Sequence, residues 1–235
     1  MKKLFFLIIA FYPFIFCFGQ TSQEYFEKGI KMLNAQDYPG AIAEFNIALK
    51  MNPDNANTYI NRGIAKFELK DYTGADEDYD ASLKIDPQRV EGYYYKGRLY
   101  EETKKYVEAI FEYDKAIAID SNYFEGYNHR GNVELELSNY KEAISDYGKA
   151  ISLNPGPVEP HYNRGIAKFG IKDNFGAIAD YDKAIELAPD FGPAYSNRGL
   201  VKIKLGHKDE GCKDLSKAKD LGNKEAEDLI KQYCN

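Results

Sequence analysis

Apolar and polar positions alternate along the chain with a helical period, and the whole pattern recurs every 34 residues. Apolar side chains return at intervals of three and four from about Ala56 to Lys70 and again from about Tyr72 to Ile85. This spacing places them on one face of a helix. The polar dipeptide Lys70-Asp71 separates the two stretches, and Pro87 ends the second. Each unit is therefore predicted to form two amphipathic helices joined by a short turn.

Fixed residue types recur at the same station of each unit. A glycine marks every unit, at Gly29, Gly63, Gly97, Gly131, Gly165 and Gly199. Four residues before it stand Tyr25, Tyr59, Tyr93, Tyr127, His161 and Tyr195. Twelve residues after it stand Ala41, Ala75, Ala109, Ala143, Ala177 and Gly211, and sixteen after it Phe45, Tyr79, Tyr113, Tyr147, Tyr181 and Leu215. Small residues at Gly63 and Ala75 are expected to let two helix backbones approach, and most of the tyrosines are expected to be core.

These stations resemble the tetratricopeptide repeat, and the resemblance covers about residues 22–225. It implies an all-α solenoid, a right-handed superhelix of helix-turn-helix repeats with a C-terminal capping helix. The predicted units are 22–55, 56–89, 90–123, 124–157, 158–191 and 192–225, followed by a cap at 226–235. Stacking is expected because one helix pair has too little apolar surface to be stable alone. The apolar spacing of Ala226, Leu229, Ile230 and Tyr233 predicts the capping helix from Lys224 to Tyr233.

The resemblance also implies a concave groove lined by the first helix of each unit. Its rows are Gln23, Asn57, Glu91, Glu125 and Glu159; Phe26, Ile60, Tyr94, Asn128, Tyr162 and Ser196; and Ile30, Ile64, Arg98, Asn132, Ile166 and Leu200. The candidate peptide-binding residues are Glu91, Tyr94, Arg98, Glu125, Asn128, Asn132, Glu159 and Tyr162. With Glu68, Glu102 and Glu136 further along, these rows predict an acidic groove with aromatic and apolar patches.

Such a groove suits a protein or peptide segment with basic and apolar residues, so the predicted function is an interaction scaffold. The alternative to a binding role is that these glutamates are ordinary solvent-exposed residues of an acidic protein. A rival function is a structural subunit or spacer of a cell-envelope assembly that uses the convex face or the ends. The carboxylate clamp of some family members is not expected, since its basic stations hold Phe26 or Ile60 and then Glu91 or Glu125.

Charge and motifs narrow the chemistry. The net charge of -6 disfavours nucleic acid as a partner. Asp76, Asp78 and Asp80 look like the start of a calcium loop, but Ala81 and Pro87 stand where that loop needs Gly and Glu. We interpret these aspartates as a solvated helix face. The histidines, His129, His161 and His207, lack metal-ligand spacing, and no catalytic motif is found. No enzyme activity, cofactor or metal is predicted.

The first residues predict export. Lys2 and Lys3 precede an apolar stretch from Leu4 to Phe18, which is typical of a secretory signal at residues 1–19 with cleavage after Gly19. An uncleaved anchor is weaker because the run is short for a span and contains Pro13. Lipid attachment at Cys17 is weaker still. A periplasmic or secreted protein without a membrane span in its mature chain is therefore expected.

Two cysteines remain after such cleavage, Cys212 and Cys234. An oxidising compartment would allow a disulfide that fastens the cap to the last unit. Two buried thiols that pack as small apolar groups are the alternative, and the sequence leaves both open.

Overall fold

In the computed structural model, residues 21–234 are described, and they form thirteen α-helices with no strand among them. The helices are α1 Ser22–Asn34, α2 Tyr38–Met51, α3 Ala56–Glu68, α4 Tyr72–Ile85, α5 Val90–Glu102, α6 Tyr106–Ile119, α7 Phe124–Glu136, α8 Tyr140–Leu153, α9 Val158–Gly170, α10 Asn174–Leu187, α11 Gly192–Lys204, α12 Lys208–Asp220 and α13 Lys224–Tyr233. The predicted all-α solenoid of helix pairs is confirmed. The predicted signal segment lies outside the described residues.

The first helices of successive units pack against each other, and the second helices do not. Helix α1 contacts α3, α3 contacts α5, and the series continues through α11, whereas no two even-numbered helices of the described chain are in contact. Neighbouring units are therefore closer on the odd-numbered side. That side is concave and the even-numbered side is convex.

An aromatic ring fills the space that the repeated glycine leaves in the first five units. A Cβ added to Gly97 would lie 2.6 Å from a ring carbon of Tyr113, which has no exposed surface. The first five units share this arrangement, so in them the glycine makes room for the aromatic ring of the second helix. The sixth unit differs: a Cβ on Gly199 would lie 2.8 Å from the carbonyl oxygen of Gly211. In that unit Gly211 and Leu215 replace the alanine and the aromatic residue, and a backbone oxygen is the nearest atom to the added Cβ.

In four units the residue four before the glycine contacts the preceding loop. The hydroxyls of Tyr93, Tyr127 and Tyr195 donate to backbone carbonyls six residues earlier, at 3.1 to 3.4 Å. His161 takes the same place, with Nε2 3.4 Å from the carbonyl oxygen of Pro155. Its pKa is lowered, chiefly by burial. Histidine thus replaces tyrosine here without loss of the contact.

Buried ion pairs recur between the two helices of a unit. An arginine directly before the repeated glycine pairs with an aspartate sixteen residues later at 2.5 to 2.6 Å, as Arg62–Asp78, Arg130–Asp146, Arg164–Asp180 and Arg198–Asp214. Asp78 is only 3% exposed and also pairs with Lys66 at 2.8 Å. Our interpretation of Asp78 as part of a solvated face is therefore wrong, because its carboxylate points between α3 and α4. Asp80 is exposed and contacts Lys96 of the next unit.

Helix α13 covers the end of the last unit. Ala226 is buried and Leu229, Ile230 and Tyr233 are half-buried, so the helix packs on α11 and α12. The Asn223 side chain accepts from the amide of Ala226 and caps the helix. A disulfide joins Cys212 of α12 to Cys234, with 5.7 Å between their Cα atoms. Within the described part of the chain, no helix is long and apolar enough to cross a membrane.

Candidate functional site

The candidate groove is the surface that α3, α5, α7, α9 and α11 present on the concave side. Two rows that the sequence analysis left out complete its floor. One lies two residues before the repeated glycine, at Asn61, Tyr95, His129, Asn163 and Asn197, and the other four residues after it, at Leu33, Phe67, Glu101, Leu135, Phe169 and Ile203. The missed signal was the helical period itself, since these rows are direct neighbours of the rows that were chosen.

The side chain of Tyr94 is buried between two units and is not exposed in the groove. It is 8% exposed, and its ring centroid lies 5.0 Å from that of Tyr95, 5.5 Å from that of Tyr123 and 5.4 Å from that of His129. Burial raises the pKa of Tyr94 to about 12. The expectation that its ring is presented to a ligand is wrong, because the neighbouring unit supplies aromatic side chains that cover it. Tyr95, one residue later, is half-buried and lines the groove.

Arg98 lies over the ring of Phe67, with its guanidinium carbon 5.5 Å from the ring centroid. It separates two neighbouring clefts. The first is aromatic and apolar, lined by Ile64, Phe67, Tyr79 and Tyr95 with Glu68 at its edge. The second, of about 280 Å³, is polar and is lined by Glu101, Glu102, Lys104, Tyr106 and His129. Arg98, a predicted groove residue, thus lies between an aromatic cleft and a polar cleft.

Glu101 is the centre of a hydrogen-bonded cluster in the polar cleft. Its carboxylate accepts a hydrogen bond from the Tyr113 hydroxyl at 2.6 Å, and it lies 3.1 Å from Nδ1 of His129. Burial is the main cause of a strongly raised Tyr113 pKa, and the charge of Glu101 adds to it. A phenol that stays protonated remains a donor, so the Tyr113 hydroxyl occupies part of the hydrogen-bonding capacity of Glu101.

Asparagine side chains occupy the floor of the fourth, fifth and sixth units. Asn132 Oδ1 accepts from the Tyr147 hydroxyl at 2.8 Å and from Asn163 Nδ2 at 3.1 Å, which links α7 to α9. Asn197 Nδ2 donates to the Tyr162 hydroxyl at 3.0 Å and links α9 to α11. Asn128 is half-buried, and its Oδ1 is buried without a hydrogen-bond partner in the described structure. The floor is therefore a polar network across units.

Tyr162 keeps part of its ring in the groove. It packs edge-on against Phe191 at 5.0 Å between centroids and lies 5.9 Å from Tyr181. Burial raises its pKa, the charge of Glu225 adds to this, and the hydrogen bond from Asn197 opposes it. Phe191 and Glu225 also line a wider opening beside Tyr162, which is where α13 begins. The groove ends at the cap.

The predicted acidic row lies along one rim. Glu91, Glu125 and Glu159 are all exposed near the starts of α5, α7 and α9. Glu91 pairs with Arg89 at 3.1 Å, with about half of its side chain exposed, whereas no ion pair within the described chain involves Glu125 or Glu159. The three glutamates thus lie on the same side of the groove, and the carboxylates of Glu125 and Glu159 form no ion pair within the described chain. No cluster of His, Cys, Asp and Glu among the described residues is arranged to hold a metal.

Comparisons with known proteins agree with this architecture. A family model described as "TPR repeat" matches residues 97–138 and 131–171, and one described as "Tetratricopeptide repeat" matches residues 26–90. Together they cover more than half of the chain. The search of curated proteins gives no match.

Several solved structures are similar. The crystal structure of MamA is 29% identical, with a TM-score of 0.66, over 70% of this chain and 96% of that one. YrrB, described as a TPR protein with an unusual peptide-binding site, is 22% identical, with a TM-score of 0.70 over 80% and 97% of the two chains. For pilF of Pseudomonas aeruginosa the identity is 18% and the TM-score 0.79, over 90% and 97%. The last two likenesses concern the fold alone.

Proposed function

Because the chain belongs to the tetratricopeptide repeat family, we propose that it is a non-catalytic scaffold that binds a segment of another protein in its concave groove. The observation that carries this proposal is the set of charged groups on the concave side that the described chain does not pair. Glu125 and Glu159 are exposed on the rim, and Arg98 lies in the floor without a carboxylate partner. The framework arginines of the same chain are paired with aspartates, whereas Arg98 and the two glutamates keep their charges for a ligand.

The groove favours an extended or helical segment with Lys or Arg for the rim and apolar anchors for the floor. Ile64, Phe67 and Tyr95 supply apolar surface around one cleft, and Tyr162 with Phe191 supplies it at the other end. YrrB, a TPR protein with a peptide-binding site, supports the proposal that a solenoid of this fold binds a peptide. Micromolar affinity, about -8 kcal/mol, is expected for a transient contact of this kind.

Selection from a displayed library of random 12-residue peptides on the purified protein tests the proposal. Binding of a selected peptide is then measured by fluorescence anisotropy on the triple variant Glu91→Lys, Glu125→Lys and Glu159→Lys. The matched control carries Glu77→Lys, Glu108→Lys and Glu142→Lys, three exposed positions on convex helices with the same change in charge. We expect the rim variant to weaken binding at least tenfold and the control to change it little. Equal losses, or none, would contradict a groove site.

A second candidate function rests on exposed apolar residues of the convex side. Val107 and Phe175 are each 75% exposed and Phe111 is 57% exposed, on α6 and α10. Such residues favour a structural subunit that contacts its neighbours through the outer helices. Replacing the three with Ser would then abolish assembly while peptide binding stays intact.

Export is part of the proposal and is supported by the sequence of residues 1–19. Cell fractionation with N-terminal sequencing of the isolated protein tests it. A chain that begins at Gln20 in the periplasm or medium agrees with it, and a cytoplasmic chain that retains Met1 contradicts it.

A further inference from the structure

Arg98 differs from every other arginine of the described chain in its partners. Five of the six arginines contact a carboxylate, as Arg62–Asp78, Arg89–Glu91, Arg130–Asp146, Arg164–Asp180 and Arg198–Asp214. Arg98 contacts none within the described residues, and its recorded contact is the ring of Phe67. Each arginine that packs between the two helices of a unit has an aspartate partner on the other helix. Arg98 is left with donors and no acceptor.

Nor does the repeat require a cation at this station. The equivalent positions hold Ile30, Ile64, Asn132, Ile166 and Leu200. Arg98 is half-buried in the groove floor, between the aromatic cleft and the polar cleft. The ring of Phe67 supports one side of the guanidinium, an arrangement that holds the charge in place without using its N–H groups in hydrogen bonds.

The acids closest in sequence are not its partners. Glu101 accepts from the Tyr113 hydroxyl and lies against His129. Glu102 lies one helical turn after Arg98 on α5, is exposed and lines the same polar cleft, and no ion pair joins the two. Arg98 thus lines clefts that also hold Glu68, Glu101 and Glu102, and its N–H donors are bonded to none of these carboxylates.

We propose that Arg98 binds a carboxylate of the bound segment, from an Asp or Glu side chain or from a C-terminus. A carboxylate is the group that a guanidinium binds through two parallel hydrogen bonds. The inference rests on the proposed groove function and refines it: the segment carries an acidic group for the floor and basic groups for the rim. An apolar residue beside the acidic one would contact the half-buried surface of Ile64 and Tyr95.

Peptide selection on three forms of the protein tests this inference. The unaltered protein is expected to enrich Asp, Glu or a free C-terminus at one register, and Arg98→Gln is expected to lose that enrichment. Lys104→Gln removes a charge of the same sign from the same cleft, at an exposed position, and is expected to keep the enrichment. Helical circular dichroism confirms that each variant is folded. An enrichment that survives Arg98→Gln, or that Lys104→Gln also abolishes, overturns the proposal.

Synthetic versions of one selected peptide give the energetic test. In one the acidic side chain becomes its amide, and in another the C-terminus is amidated, so the source of the carboxylate is identified. The amidation that removes the carboxylate bound by Arg98 is expected to weaken binding to the unaltered protein about tenfold. The same amidation is expected to weaken binding to Arg98→Gln less than twofold. The same loss on both proteins overturns the carboxylate contact. If the rim variants leave peptide binding unchanged, the groove function itself fails; if they weaken it but no carboxylate couples to Arg98, only this inference fails.

Discussion

Reduction of the Cys212–Cys234 disulfide is expected to release the capping helix and little else. Helix α13 has ten residues, a length at which an isolated helix is not stable in water. Its docked apolar face consists of Ala226 with the half-buried Leu229, Ile230 and Tyr233. Packing and the disulfide together therefore hold the helix in place.

The magnitude follows from the length of chain that the disulfide closes. The two cysteines are 22 residues apart. Loop-closure entropy for a loop of this size corresponds to about 3 kcal/mol at 25 °C. In a linear repeat protein this energy acts on the terminal unit and its neighbour, because each unit contacts only adjacent ones. Opening of α13 should thus become roughly 100-fold more frequent on reduction.

Hydrogen exchange detected by mass spectrometry measures this directly on oxidised and reduced protein. Amides of α13 should lose protection by up to about 100-fold, with a smaller loss in α12. Amides of α5 to α8 should not change. The variant Cys212→Ser with Cys234→Ser serves as a second sample that needs no reductant. If the protection of α13 falls by less than about threefold, below 1 kcal/mol, packing alone holds the cap and the reasoning is refuted.

Three further comparisons test the framework by urea unfolding. Gly97→Ala should destabilise the protein by about 1 to 2 kcal/mol, because its methyl group would lie 2.6 Å from a tyrosine ring carbon. Gly148→Ala, whose methyl group would have no atom nearer than 3.9 Å, should be neutral or stabilising. Equal effects of the two substitutions would contradict the packing argument. Asp146→Asn should cost about 2 kcal/mol, since it breaks a buried ion pair, and Asp114→Asn, at an exposed carboxylate, less than about 1. The lowered pKa of His161 means that the unfolded chain binds its proton more readily, so stability should fall as pH drops below about 6.5. His161→Tyr should flatten that dependence, and parallel pH profiles for the two proteins would show that other groups cause it.

The fold was predictable because its main determinants are local and repeat. The stretches predicted from about Ala56 to Lys70 and from about Tyr72 to Ile85 are observed as Ala56–Glu68 and Tyr72–Ile85. What ends α3 early is the left-handed backbone of Lys70, with φ of 63°. A turn conformation of that kind in a lysine carries no sequence signal as strong as glycine's.

The candidate site was less predictable because burial in the groove depends on the next unit. Tyr94 occupies a groove station, but Tyr123 and His129, some 30 residues away, cover it. Asp78 appeared solvated when its helix was considered alone. Its partner Arg62 lies on the other helix of the pair, and only the recurrence of the Arg and Asp stations sixteen residues apart could have indicated the contact.

The third unit departs from the pattern of the other units in the positions of its basic residues. At the station where four units carry the framework arginine it has Lys96, which pairs with Asp80 and Asp76 of the preceding unit instead of an acid of its own. Two residues later it has Arg98. Residues two apart on a helix project about 200° from each other, so this unit carries its guanidinium on the groove side and not on the framework side. The unit keeps a cation that pairs with acids of its neighbour and adds one that stacks on Phe67 but contacts no carboxylate of the described chain. A comparison of the six units with one another therefore separates residues that build the solenoid from those suited to bind a partner.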